Sequence, residues 1–226
     1  MKMKKFGFLA IFVVILAALS AGCASYGAKT GFPEFQPADG RLTKVSAGDY
    51  TISAFPLNKE EGKEYFDYDL EKDRVAAVFM EVDGQPNGGD VLSSVSLDFD
   101  NVVLYPMNRE EVYYTIRNEY WAKASLWYFV GYIGAPISAL HTKSVNKKIE
   151  EDLNRKLLVS GSGLKDLKGF LIFKIPEGLA PKGSAAISAV LKLVLKIGGK
   201  EAIYSLSLSP VKFPDPEPPA APKLNE

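Results

Sequence analysis

The chain has 226 residues, of which 27 are basic and 27 are acidic, and it contains one histidine and one cysteine. This balanced charge argues against nucleic acid as a partner, because nucleic acid requires a concentrated basic face. One thiol and one imidazole also argue against a zinc or copper site, so we predict no metal and no dissociable cofactor.

The first 22 residues have the organisation of a secretory signal peptide. Residues 1–5 (MKMKK) carry three lysines and no acid, residues 6–19 carry no charge, and residues 20–22 are small. A basic segment, a short apolar segment and small residues before a cleavage site are typical of such a peptide. The uncharged run of 14 residues is shorter than the roughly 20 residues that a membrane-spanning helix needs.

The sequence Ser20-Ala21-Gly22-Cys23 resembles the lipobox of bacterial lipoproteins, although serine stands at position 20, where leucine is the most common residue. The resemblance implies cleavage between Gly22 and Cys23 and a covalent lipid on Cys23. Several acyl chains together give a lasting membrane anchor. In enteric-type bacteria an aspartate after the cysteine tends to retain a lipoprotein in the inner membrane, and here Ala24 follows it. We therefore expect a protein of the bacterial cell envelope, anchored in the outer membrane and facing the periplasm.

The composition divides the chain into four regions. They are a signal peptide (1–22), a lipidated cysteine with a tether (23–32), one folded domain (33–213) and a tail (214–226). The tail, PDPEPPAAPKLNE, has five prolines in 13 residues and is predicted to be disordered, because proline cannot donate to a sheet ladder. With Cys23 lipidated the domain has no cysteine, so its own core must hold it together.

Alternation of apolar and polar residues with a period of two predicts strands with one buried face. The predicted strands are 49–57, 74–82, 91–105 (one or two strands around Asp100-Asn101), 169–175, 186–197 and 202–208. Residues 74–82 are apolar on both faces, as in a central strand, and Gly198-Gly199 predicts a tight β-hairpin between the last two strands. The pattern predicts a mainly β fold, an immunoglobulin-like β-sandwich of about seven or eight strands.

Two helices are predicted between the strands, at about 109–131 and 144–158, forming an inserted helical hairpin (109–158). Asn108 is a candidate N-cap before acidic residues, and Ser144 is a candidate cap for the second helix. Apolar residues recur at helical spacing in both segments: Val112, Ile116 and Tyr120 in the first, and Val145, Ile149, Leu153 and Leu157 in the second. The pairs Lys148–Asp152 and Glu151–Arg155 predict a solvated outer face for the second helix.

Two further resemblances concern the folded domain. Residues 168–177 (KGFLIFKIPE), followed by an alternating hairpin, resemble the C-terminal half of secreted bacterial immunoglobulin-like domains of the telokin-like type. A glycine-containing apolar stretch, then VNKKIEEDLNRKLL and KGFLIF, is similar to a pattern in uncharacterised bacterial envelope lipoproteins. The first resemblance implies a fold, and the second implies no activity.

No catalytic residue is predicted. His141 has Ser138, Thr142 and Ser144 nearby, but no nucleophile-elbow motif accompanies it, so we place it in the loop between the two helices. The acidic residues of 60–73 and the Gly-rich stretch 83–90 lack calcium-loop spacing and are interpreted as solvated loops. Asp98 and Asp100 are predicted on one face of a strand, which keeps open a carboxylate-dependent envelope hydrolase as an alternative.

Residues 124–140 are 17 residues without a charge, flanked by Lys123 and Lys143. They could span the membrane, although Gly131, Gly134 and Pro136 interrupt a helix there. They could also form an aromatic hairpin tip that meets the membrane interface or a partner, or pack as core. The predicted contact residues are Trp121, Trp127, Tyr128, Phe129, Tyr132 and Ile133.

The leading hypothesis from the sequence is a non-enzymatic envelope lipoprotein that acts as a binding or structural assembly module. The membrane is its first partner through the lipid anchor, and an envelope protein is the second. A carrier of a small apolar ligand or lipid, held between the sheets and the hairpin, is the other alternative beside the hydrolase.

Overall fold

The computed structural model describes residues 26–34, 40–85, 89–117, 134–179 and 187–211. The strands within these ranges are β1 (Thr43–Ala47), β2 (Tyr50–Pro56), β3 (Val75–Gly84), β4 (Val91–Phe99), β5 (Val102–Leu104), β6 (Lys168–Lys174), β7 (Ile187–Ile197) and β8 (Lys200–Val211). The helices are α1 (Lys59–Phe66), α2 (residues 109–117) and α3 (Gly134–Lys156), with short 3₁₀ turns at Leu70–Asp73 and Glu177–Leu179. The predicted signal peptide (1–22) and tail (214–226) lie outside the described residues.

The strands form two four-stranded sheets in which every pair of neighbours is antiparallel. The order is β1-β2-β3-β6 in sheet 1 and β5-β4-β7-β8 in sheet 2. The chain therefore completes three strands of sheet 1, builds β4 and β5 in sheet 2, and returns to sheet 1 beside β3. The predicted mainly β character is confirmed.

Two-residue turns close both hairpins of sheet 2. Gly198 and Gly199 have φ angles of 56° and 81°, and Asp100 and Asn101 have φ angles of 48° and 65°. Positive φ at both central positions is the type I′ geometry, whose twist matches that of antiparallel strands. The predicted Gly198-Gly199 hairpin is confirmed, and the 91–105 segment divides into two strands at Asp100-Asn101.

The facing sides of the two sheets share one hydrophobic core, which we call the inter-sheet core. Along β7 the leucines at 191, 193 and 195 are fully buried, whereas Lys196 is exposed. This is the alternation on which the strand prediction rests. Other large, fully buried side chains of the inter-sheet core are Ile52, Met80, Leu92, Leu97, Phe99 and Phe173.

A buried carboxylate joins the two sheets at one edge of the inter-sheet core. Asp90 accepts hydrogen bonds from the hydroxyl of Tyr50 in sheet 1 (2.7 Å) and from the backbone N–H of Gly198 in the β7–β8 turn (2.8 Å). A buried carboxylate is tolerated where its oxygens are hydrogen-bonded. Asp90 is therefore part of the structure of the domain rather than an isolated acid.

Sheet 1 is buried on its outer face as well, under a second apolar cluster that we call the helix-side core. Adjacent residues of β6 divide between the two cores, with Leu171 and Phe173 facing sheet 2 and Phe170 and Ile172 facing the helices. The prediction that residues 74–82 form a central strand apolar on both faces is confirmed by β3. The helices contribute Phe66, Val112, Ile116, Val145, Ile149 and Leu153 to this core, and Leu157 joins it directly after α3. The predicted helical spacing is confirmed for the apolar residues that lie in α2 and α3.

The start of the second predicted helix differs from the prediction. α3 begins at Gly134, so Ser144 lies inside the helix and is not its cap. Pro136 falls in the first turn, where a backbone N–H has no partner within the helix and its absence costs nothing. His141 also lies within α3, and its assignment to a loop is wrong.

The acidic stretch between β2 and β3 is not an extended loop. Its first part is α1, and the side chain of Asn58 accepts from the Glu61 N–H (2.9 Å) while the Glu61 carboxylate accepts from the Asn58 N–H (2.8 Å). This reciprocal capping box satisfies two backbone donors that the helix leaves unpaired. Glu61 therefore has a structural role in capping α1.

Candidate functional site

The residues predicted to carry lipid and contacts lie outside the described residues. They are Gly22 and Cys23 at the cleavage site and the contact residues Trp121, Trp127, Tyr128, Phe129, Tyr132 and Ile133. The structure describes the segments that flank them. These are residues 26–34, which follow Cys23 closely, and the helices α2 and α3, which lie on either side of 118–133 in the chain.

The helix that precedes residues 118–133, α2, is anchored at its start and along one face. Asn108 caps α2 through a capping box with Glu111, with bonds of 2.9 Å and 2.7 Å, which confirms the predicted N-cap. Val112 and Ile116 are buried against sheet 1. The last described turn ends at Arg117, whose guanidinium carbon lies 5.7 Å and 6.0 Å from the ring centres of residues 113 and 114, within the range of a cation–π contact.

Residues 26–34, which we call the strap, lie against the helices instead of extending from the domain. The N–H of Gly27 donates to Asp67 Oδ2 (2.7 Å), and the N–H of Lys29 donates to the carbonyl of Glu64 (2.7 Å). The Lys29 ammonium also contacts the Glu64 carboxylate at 2.7 Å, and this hydrogen bond raises the pKa of Lys29. The described part of the region predicted as a tether (23–32) is therefore bound to α1 and to the residue that ends it.

The C-terminal part of the strap packs on the helix-side core. The Phe32 ring centre lies 5.7 Å from that of Phe79 and 5.8 Å from that of Phe170, in tilted arrangements. The ammonium of Lys168 lies 5.5 Å from the Phe32 ring centre. Aromatic contacts at these separations add to the stabilisation from buried area, so the strap is held by apolar packing as well as by hydrogen bonds.

A buried ion pair joins the strap to α3 and α1. The Lys156 ammonium lies 2.7 Å from Asp152 Oδ2, and the two side chains are 2% and 6% exposed. Lys156 also donates to the carbonyls of Lys29 and Tyr65, each at 2.7 Å. The hydroxyl of Tyr26 donates to Asp152 Oδ2 at 2.6 Å. The strap therefore supplies two of the groups that surround this pair.

The electrostatics of this pair follow from its burial. Loss of solvent lowers the pKa of Lys156, and the hydrogen bond to Asp152 partly offsets that effect. An ammonium has three N–H donors, and three oxygens accept from Lys156 in this site. A buried charge is tolerated when it is paired and its hydrogen bonds are complete.

The end of α3 is also fixed against β6. The N–H of Leu158 donates to the carbonyl of Phe170 (3.0 Å), and a Cβ on Gly169 would lie 2.5 Å from the backbone oxygen of Lys156. Only glycine allows this close approach. These two backbone contacts with β6 fix the position of Lys156 under the strap.

The buried pair was missed at the level of sequence because Asp152 was assigned to the solvated face of the helix. That assignment is wrong, since Asp152 is buried and pairs with Lys156. A local signal exists, because Ile149, Asp152, Leu153 and Lys156 have the i, i+3, i+4, i+7 spacing of a single helix face. Ile149 and Leu153 are apolar and face the core. Asp152 and Lys156 share their helix face, and this spacing predicts that both charged side chains are buried as well.

The carboxylates considered for hydrolysis do not share a strand face. Asp98 is on the outer face of sheet 2 and forms an ion pair with Lys192 of the neighbouring strand. Asp100 lies in the β4–β5 turn. The predicted side-by-side placement of Asp98 and Asp100 is therefore wrong.

The acids near α1 have basic partners. Asp69 lies 3.2 Å from Lys59 and 3.6 Å from Lys63, and Glu61 binds the Arg41 guanidinium through both oxygens at 2.7 Å and 2.8 Å. Among the residues that the structure describes, no three His, Cys, Asp or Glu side chains are grouped so that they could hold a metal ion.

No helix in the described part of the chain is both long enough and apolar enough to cross a membrane. Comparisons with family models, with curated proteins and with solved structures give no match to this chain.

Proposed function

We propose that this chain is a lipid-anchored protein of the bacterial cell envelope whose two-sheet domain is a non-enzymatic binding or assembly module. The observation that carries the proposal is the lipobox-like Ser20-Ala21-Gly22-Cys23 directly after a basic and apolar leader. Ala24 favours the outer membrane as its location. The domain itself contains no cysteine, so a lipid on Cys23 would not affect any side chain of the folded domain.

We further propose that the domain is an immunoglobulin-like β-sandwich, in line with the telokin-like resemblance. The strand order supports this assignment, since β2, β3 and β6 take the places of strands A, B and E, and β5, β4, β7 and β8 those of C′, C, F and G. In this assignment β1 is an additional edge strand. The helices α2 and α3 stand between β5 and β6, where strand D would otherwise be expected.

The proposed contact surface is the aromatic segment between α2 and α3, which would be the two arms of the inserted hairpin. Both helices are held to sheet 1 by buried apolar residues close to this segment along the chain, Ile116 before it and Val145 after it. The helix-side core already contains its own aromatic residues, such as Phe66, Phe79 and Phe170. A segment carried between two anchored helices is suited to present its aromatic side chains to a membrane or to a protein partner.

Cys23→Ala is expected to abolish incorporation of radiolabelled fatty acid and to leave the uncleaved precursor in the cell. Ser20→Leu is the matched control, because it supplies the residue most common at that place and should keep both labelling and cleavage. The readouts are labelling in growing cells and the mass of the purified chain. A wild-type chain that carries no lipid would contradict the proposed anchor.

Replacing the six contact residues (Trp121, Trp127, Tyr128, Phe129, Tyr132 and Ile133) with serine is expected to abolish crosslinking to a partner or lipid in intact cells. The measurement compares photocrosslinking from a probe at position 124 in the wild-type chain and in the six-residue variant. The unfolding free energy should change by less than about 1 kcal/mol, because residues away from core and buried polar groups contribute little. Tyr105→Ser, at an aromatic side chain that is 72% exposed, is the control that should leave crosslinking intact. A large loss of stability in the six-residue variant would show that the segment is core.

A further inference from the structure

We propose that the strap orients the anchored domain, so that α1 and the C-terminal end of α3 face the lipid surface and the outer face of sheet 2 points away from it. The inference rests on the proposed lipid on Cys23 and concerns how the folded domain meets the membrane that the lipid enters. It assigns the side of the domain that faces lipid and the side that is left free for other molecules.

The distance between the anchor and the domain is short. Only residues 24 and 25 separate Cys23 from Tyr26, and three extended steps of the chain reach at most about 10 Å. Tyr26 is already bound to Asp152 (2.6 Å), and Gly27 is bound to Asp67 (2.7 Å). A lipid on Cys23 would therefore hold the backbone of Tyr26, where the strap begins, within about 10 Å of the bilayer surface.

These first contacts are all on one side of the molecule. Asp67 ends α1, and Asp152 lies in the last turns of α3. Both helices cover the face of sheet 1 that is turned away from sheet 2. Packed sheets are about 10 Å apart and a helix with its side chains is about 10 Å thick, so the outer face of sheet 2 lies about 20 Å farther from the anchor than the helices do.

Detachment of the strap is opposed by the buried ion pair. If residues 26–29 left the surface, Lys156 would lose the Lys29 carbonyl and Asp152 would lose the Tyr26 hydroxyl. The hydrogen bonds that remain are the one from Lys156 to the Tyr65 carbonyl and the one from Lys156 to Asp152. Under-satisfied buried charges are costly, so the docked strap is favoured over a free tether, and a short attachment is maintained.

The test measures how close two sides of the domain come to the bilayer. In the lipidated full chain the thiol of Cys23 is blocked, so Lys63→Cys on α1 (side chain 55% exposed) and Ile203→Cys on β8 (70% exposed) each give one labelling site. Each variant carries an environment-sensitive fluorophore and is reconstituted in vesicles of phosphatidylethanolamine and phosphatidylglycerol with a headgroup nitroxide lipid. We expect the label at position 63 to be quenched several-fold more strongly than the label at position 203. Equal quenching, or stronger quenching at position 203, would overturn the proposal.

A flexible Gly-Ser insertion between Ala24 and Ser25 is the matched control, since it lengthens the reach and leaves every strap contact in place. The difference in quenching between positions 63 and 203 should shrink in this variant. An unchanged difference would mean that something other than the short attachment orients the domain, and it would also overturn the proposal.

A second arm separates this inference from the proposed lipidation. Here six histidines replace residue 23 and all preceding residues, and the chain binds vesicles that contain a nickel-chelating lipid. The histidine next to Ala24 keeps the attachment short when it binds nickel, so stronger quenching at position 63 than at position 203 is expected again, whether or not cells lipidate the native chain. Equal quenching on these vesicles would overturn the role of the strap and leave the lipid anchor standing.

Discussion

Lys156→Met is expected to lower the free energy of unfolding by about 3 to 5 kcal/mol, the usual cost of removing one partner of a buried ion pair. The substitution leaves the Asp152 carboxylate, 6% exposed, with the Tyr26 hydroxyl as a remaining donor. It also takes the ammonium away from the carbonyls of Lys29 and Tyr65. Urea-induced unfolding, followed by far-ultraviolet circular dichroism, measures the change.

Two controls show whether burial causes this effect. Lys147→Met removes the cation of an i,i+4 pair on the same helix, but that lysine side chain is 76% exposed and 3.7 Å from Glu151, so the change should stay below about 1 kcal/mol. The double variant Asp152→Asn/Lys156→Met removes both buried charges and keeps an oxygen that can accept from Tyr26. It should be more stable than Lys156→Met alone. If Lys156→Met costs no more than Lys147→Met, the pair is not buried in solution.

The parts of the fold that were predicted correctly are those with a local signal. The leucines at 191, 193 and 195 alternate with Lys192 and Lys196 because β7 has one buried and one open face, and the period of two reports this directly. The Gly198-Gly199 turn is equally local, because positive φ at two successive positions strongly favours glycine.

The parts that were missed depend on residues far apart in sequence. The strap begins with residues 26–31 (YGAKTG), which are mostly small or polar and therefore predict a tether. Its partners Glu64, Asp67 and Asp152 are 35 to 126 residues away. No local periodicity can report a contact that only the finished fold creates.

The start of α3 was missed for a different physical reason. The prediction treats Gly134 and Pro136 as interruptions of a helix, although proline disrupts a helix only where a backbone N–H is required. In the first turn the N–H groups have no intrahelical acceptor, so Pro136 is compatible with a helix that begins at Gly134. Whether a glycine or proline interrupts a helix therefore depends on where that helix starts.

Phe170→Ala is expected to lower the free energy of unfolding by about 3 to 5 kcal/mol, as is usual when a buried aromatic ring is removed from a core. The Phe170 ring is fully buried and lies between four others, with centre-to-centre distances of 5.0 Å to Phe66, 5.3 Å to Phe79, 5.5 Å to Tyr65 and 5.8 Å to Phe32. Its loss leaves a cavity where the strap, α1 and β3 meet. Phe170→Leu, which refills most of that space, should cost less than about 2 kcal/mol.

The decisive comparison is with Phe173→Ala, three residues along the same strand. Phe173 is also fully buried but faces sheet 2 in the inter-sheet core, so its removal should cost a similar amount of stability. Native-state hydrogen exchange then separates the two variants, because only Phe170→Ala removes a ring against which Phe32 packs. In Phe170→Ala the amides of Gly27 and Lys29 should have an opening free energy below the free energy of global unfolding. In Phe173→Ala the two free energies should be equal for these amides. Equal behaviour of these amides in both variants would mean that the two cores open as one unit, and that the strap is no less stable than the sheets beneath it.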